Sequence, residues 1–196
     1  MNVLIVHEIS YLRDPIFELH ILSELLSLHG HTVYAVDYGA TRYQEMDIAR
    51  VYPDAKVRLI RPPSLGLGRP IYGVIYNYVI YTILKTKKID VVILYSAPTN
   101  GVQTVLTAKK LGVPIVFRSI DVLYKLAPKM LAIPTKAAER WVYRHVDKIL
   151  TITPALSRYV VKLGANPDKV GILPLGIDLH LPPETLSTKL PDWENI

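Results

Sequence analysis

The 196 residues predict an α/β domain built on a doubly wound, mostly parallel sheet. Three observations carry this. Short apolar runs such as NVLIV (2–6) and DVVILY (90–95) hold hydrophobic residues at consecutive positions, as strands buried on both faces require. Segments with helical spacing of apolar residues alternate with those runs along the whole chain. No repeat, low-complexity tract or internal linker interrupts the alternation, so residues 1–178 read as one domain and 179–196 as a linker or tail.

In order, the strand 2–7 is followed by a loop to Asp14, where Asp14-Pro15 reads as an N-cap and first helical residue. Phe17, Ile21, Leu25 and Leu28 continue that helix to Gly30, and HTVYAVD (31–37) forms the next strand of a right-handed βαβ unit. Residues 39–52 are polar and read as irregular or a short helix; KVRLI (56–60) is a strand. The stretch 61–70, with its prolines and glycines, reads as a loop. A Tyr-rich helix spans 71–86, a strand 90–95, and a helix 99–111 ended by Gly112. The strand 113–118 and a helix from about 134 to 145 follow. The strand 146–151 leads to Thr153-Pro154, which opens a helix through Leu156, Tyr159, Val160 and Leu163 to Gly164. Val170–Leu173 is the last strand, and Pro174, Gly176 and Asp178 carry the chain out of it.

Half of the residues are hydrophobic and a fifth are charged, which excludes a disordered chain. The absence of cysteine excludes disulfides and thiolate metal sites, and the scattered histidines lack metal-ligand spacing, so no metal is expected. A net charge of +6 suits phosphorylated ligands or an anionic membrane surface. The cations occur in ones and twos without a nucleic-acid motif, so no nucleic acid is expected. There is neither a basic leader nor an apolar run long enough to span a bilayer, and a cytoplasmic protein, peripheral at most to the inner membrane face, is expected. Few amides and no cysteine hint at a thermophilic source. P-loop, dinucleotide-binding and nucleophile-elbow motifs are all missing.

Ligands of such sheets bind beyond the carboxyl ends of the strands, near the point where strand order reverses. That selects the loops 7–14, 95–101 and 118–124. In the first, His7 is a candidate catalytic group, while Ser10, Tyr11 and Arg13 are candidates for binding an anionic substrate. Against this, Asp14 serves as a helix cap and Arg13 as a solvated charge. Ser96 and Asn100 in the second loop suit either hydrogen bonds to a ligand's hydroxyls or turn and cap roles. In the third, Arg118 suits an anionic ligand such as a lipid phosphate, and Asp121 is either a ligand-facing carboxylate or the cap of the next helix. The Tyr-rich helix ends in Lys85, Lys87 and Lys88; it reads as sheet cover or as a membrane-surface element.

The segments LHGHTVYAVDY (28–38) and ERWVYRHVDKILTITPALSRYVVKLG…VGILPLGID (139–178) resemble those of the large retaining, family 4-like glycosyltransferases of GT-B fold. The resemblance implies a Rossmann-like first half of a GT-B enzyme, with a donor-binding second half outside this chain. It implies transfer from a UDP- or GDP-sugar to a glycan or lipid-linked acceptor, with no cofactor and no metal in the transfer step. It implies too that these residues alone have little activity. Where the family carries a His-Asp pair beside the acceptor hydroxyl, this chain has Ile120-Asp121, so the resemblance implies that Asp121 takes that hydroxyl's proton or holds a sugar hydroxyl. The family's Gly-Gly pair after the first strand is replaced by Leu12-Arg13-Asp14-Pro15. The rivals are a standalone glycan- or protein-binding module and half of a sugar-nucleotide epimerase.

Overall fold

The computed structural model describes residues 1–37, 42–63 and 69–175, with side chains for all of these except 69–75. An eight-stranded sheet runs through it: β1 (Asn2–Val6), β2 (Thr32–Val36), β3 (Gln44–Ile48), β4 (Val57–Arg61), β5 (Val91–Leu94), β6 (Ile115–Ser119), β7 (Lys148–Thr151) and β8 (Val170–Ile172). The spatial order is β3-β4-β2-β1-β5-β6-β7-β8. All neighbours are parallel except β3 and β4. Strand order reverses between β1 and β5, which sets the crevice at their carboxyl ends.

The consecutive apolar residues of β1 serve two cores. Val3 and Ile5 pack with Leu19 of α1 (Glu18–Leu28), Val33 and Leu59 on one face. Leu4 and Val6 point the other way, into a larger core with residues of α2 (Arg69–Thr86), α3 (Gly101–Leu111), α5 (Ala132–His145) and α6 (Pro154–Leu163). Helices thus cover both faces, as a parallel sheet demands.

The expected punctuation holds at α6 and α3. Thr153 accepts the Leu156 N–H at 3.2 Å and Pro154 follows it; Gly164 and Gly112 end their helices at φ +117° and +68°. Gly101 is required by proximity, because a Cβ there would run into the Ser96 carbonyl.

Other expectations are corrected. Asp14 does not cap α1: its carboxylate accepts the Ser10 N–H at 2.6 Å, closing a turn within the loop. The helix starts at Glu18, where His20 Nδ1 takes the Phe17 N–H at 3.0 Å. Residues 44–48, read as irregular or helical, form the edge strand β3. That strand has no buried apolar face; it is held by backbone pairing to β4, with Arg61 donating to Gln44 and Arg58 pairing with Asp47. Between β6 and α5 the chain makes a one-turn helix α4 (Leu123–Leu126) and a 3₁₀ turn at Lys129–Leu131. The Tyr-rich helix buries Tyr76, Ile80, Ile83 and Leu84 against the sheet, and Lys87 just beyond it pairs with Glu45 at 2.8 Å. Residues 64–68 of the expected loop and the tail 179–196 lie outside the described residues, as do Gly176 and Asp178 of the exit turn.

Candidate functional site

A cleft of about 630 Å³ opens at the carboxyl ends of β1, β5 and β6. Its walls come from the loop after β1 (His7, Glu8), the loop after β5 (Tyr95, Thr99), the first turn of α3 (Gln103) and the segment after β6 (Ile120, Asp121). Phe17 and Leu19 at the start of α1, with Leu126 and Leu131 beyond β6, make the lining largely apolar. Residues of all three loops that the strand-end rule selects thus line one cleft.

His7 closes the floor. It is 1 % exposed, and neither ring nitrogen has a hydrogen-bond partner among the described residues. The Ile9 backbone comes near the ring without reaching hydrogen-bond geometry. Burial, with nearby His20 adding to it, holds the imidazole pKa down at about 4, so His7 is neutral at pH 7. Asn100 donates its amide to the His7 carbonyl at 3.2 Å and so braces the tip of β1. Glu8 lines the cleft with a fixed carboxylate, one oxygen accepting from the Ser96 hydroxyl and from Thr99 N–H at 3.0 Å.

Asp121 is exposed on the opposite wall. It does not cap the following helix. The N–H groups of Leu123 and Tyr124 go instead to the carboxylate of Glu139 on α5, at 3.0 and 3.3 Å. Glu139 also receives the hydroxyls of Tyr143 and Tyr159, which leaves it fully buried with four donors. Its pKa is raised because burial outweighs those hydrogen bonds. The side chain of Asp121 is unclaimed by any hydrogen bond or ion pair among the described residues.

The structure divides the remaining candidates. Arg118 is no acceptor contact: it is 2 % exposed, pairs with Glu18 at 2.8 Å and donates to the Leu173 carbonyl at 2.6 Å. A guanidinium at the end of a buried strand needs such partners more than a ligand. Tyr11 is fully buried, its hydroxyl bonded to Ser23 and its N–H to Asp37, so it belongs to the core rather than the cleft. Ser10 accepts the Arg13 N–H at 3.3 Å; neither residue lines the cleft, and Arg13 is exposed. Ser96 and Asn100 are buried beneath it, as braces.

Glu8, Tyr95, Thr99 and Gln103 line the cleft without having been singled out. The Tyr95 hydroxyl and Gln103 Oε1 are buried and lack a well-formed hydrogen bond, although Glu18 and Arg118 approach the hydroxyl. Burial raises the Tyr95 phenol well above its ordinary range. Gln103 was findable as a polar residue in the first turn of a helix that follows a strand end. Glu8 was not, because its place in the wall is set by Ser96 and Thr99, 88 and 91 residues away, which hold its carboxylate there.

Among the described residues no cluster of histidine and carboxylate side chains suits a metal ion, and no helix is long and apolar enough to cross a membrane.

No curated protein matches the chain closely enough to be a relative. Solved structures share the fold at low identity. UDP-GlcNAc 2-epimerase from Methanocaldococcus jannaschii superimposes with a TM-score of 0.59 at 13 % identity, over 88 % of this chain and 45 % of that one. The S. aureus MnaA–UDP structure gives 0.57 at 12 %, over 87 % and 43 %. Anabaena Alr3699/HepE in complex with UDP-glucose gives 0.55 at 12 %, over 91 % and 44 %. The chain thus spans less than half the length of these structures, and the likeness establishes the first half of a GT-B fold. The model of Glycosyltransferase Family 4 matches residues 19–181, from α1 past the last strand, and the chain belongs to that family.

Proposed function

We propose that this domain is the acceptor-binding half of a retaining glycosyltransferase, which moves a sugar from a UDP- or GDP-sugar to a glycan or lipid-linked acceptor. The observation that carries the proposal is the cleft at the β1/β5 reversal. It sets the unclaimed Asp121 carboxylate in one wall and a neutral, unpartnered His7 in the floor. Buried polar groups without partners are costly unless a ligand completes them, and a sugar brings hydroxyls to do so. In this scheme Asp121 accepts the proton of the attacking acceptor hydroxyl, or holds a sugar hydroxyl beside it. His7, Tyr95 and Gln103 give and take hydrogen bonds from the remaining hydroxyls. The donor is held mainly by a second lobe outside these residues.

A second reading has a specific observation behind it. The solved structures named above include a UDP-GlcNAc 2-epimerase, which makes half of a sugar-nucleotide epimerase the alternative. One assay separates the two. The enzyme is given labelled UDP- and GDP-sugars with and without a lipid-linked or glycan acceptor. Sugar transfer that needs the acceptor, and falls at least about a hundredfold in Asp121→Asn, supports the transferase. An isomerised sugar nucleotide in the absence of acceptor overturns it in favour of the epimerase.

A further inference from the structure

From α4 into the start of α5 the chain exposes a run of apolar side chains. Leu126, Met130, Leu131 and Ile133 are 68, 86, 51 and 83 % exposed, all within eight residues. Core packing does not use them, since in α4 the residue that packs against the core is Leu123. The cleft uses only two: Leu126 and Leu131 line its mouth, whereas Met130 and Ile133 are not part of the lining. Lys125, Lys129 and Lys136 are interspersed with them and exposed. No acidic residue occurs from 122 to 138. The flanking carboxylates do not neutralise the segment, because Glu139 is buried with four donors and Asp121 lines the cleft.

We propose that residues 123–136 are a docking element for an anionic lipid bilayer. Met130 and Ile133 insert among the acyl chains near the headgroups, while the three lysines lie over lipid phosphates with their stems along the apolar surface. Charge complementarity selects this occupant. A cluster of one sign, around apolar side chains exposed beyond 80 %, matches a negative surface with a hydrocarbon layer beneath it. The Tyr-rich α2 fits the role less well: among its described side chains Tyr76, Ile80, Ile83 and Leu84 are in the core, and Lys87 just beyond it is paired with Glu45. Because Leu126 and Leu131 belong to both surfaces, docking brings the cleft mouth to the lipid interface. That the cleft then takes an acceptor anchored in the bilayer rests on the sugar-transfer proposal; the docking itself does not.

The test is flotation of the protein with phosphatidylcholine vesicles, with and without phosphatidylglycerol. Binding is expected only with the anionic lipid, and it weakens as salt is raised. Met130→Asp with Ile133→Asp lowers the partition coefficient on the order of a hundredfold. Lys125→Glu and Lys129→Glu each lower it at least about fivefold. All four positions are exposed, so thermal unfolding followed by circular dichroism is unchanged, which separates lost docking from lost folding. Failure to bind anionic vesicles overturns the proposal. So does binding that these variants leave intact, which would assign the patch to a protein surface or a second lobe. A negative transfer assay leaves the vesicle result standing.

Discussion

His7 carries a stability signature that its position dictates. The unfolded chain protonates this imidazole near pH 6.5, and the folded chain refuses the proton until about pH 4. Its contribution is therefore complete above pH 6.5 and is lost as pH falls towards 4, by up to about 3 kcal/mol. His20 acts in the same direction: burial, reinforced by Arg50, lowers its pKa while the ring hydrogen-bonds the Phe17 N–H and the Tyr11 carbonyl. His7→Phe is expected to flatten the pH dependence of the melting temperature between pH 4 and 6.5 without destabilising the protein at pH 7, because no hydrogen bond is lost. A drop at pH 7 would show that the ring has a partner. Arg118 behaves in the opposite way. Arg118→Ala strands the Glu18 carboxylate and the Leu173 carbonyl, and urea unfolding should show a loss of about 3–5 kcal/mol. Its role was misjudged from the sequence because a cation at a strand end looks the same whether its partner is a ligand or Glu18, 100 residues away.

At the scale of elements, α4 owes its start to a residue of another helix. Glu139 takes two of its first N–H groups, with the hydroxyls of Tyr143 and Tyr159 on the same carboxylate. Glu139→Ala is expected to lower stability by about 3 kcal/mol, read by denaturant titration. It should also raise amide exchange at Leu123 and Tyr124 above that of the rest of the fold. An unchanged exchange rate there would mean that α4 holds without its carboxylate. The elements themselves were legible where local rules govern them, as at Thr153-Pro154 and Gly164 on α6. They were illegible where a distant group decides. β3 has no periodic apolar face and exists through β4; α1 begins late because Asp14 closes its own turn and His20 caps the helix. The cleft was half legible for the same reason. The strand-end rule found its loops, but which side chain enters it depends on burial that no spacing encodes.

For the molecule as a whole, burial declines from the centre of the sheet to its β3 edge. β1, flanked by β2 and β5, lies between two apolar cores, whereas β3 at one edge has exposed Glu45, Met46 and Asp47. Native-state hydrogen exchange should therefore be slowest in β1 and fastest in β3, the latter opening without global unfolding. Equal protection in both would show that the edge is part of a single cooperative unit. The Arg118 guanidinium adds something that a list of contacts conceals. It joins three distant segments: its own strand, the chain leaving β8 at Leu173, and Glu18, the residue between Phe17 and Leu19 in the wall of the cleft. These two ties, made by one planar group rooted in a buried strand, bind the three segments together. Displacing the backbone just past β8 would therefore strain, through two hydrogen bonds, the residue that sits between Phe17 and Leu19 of the cleft wall.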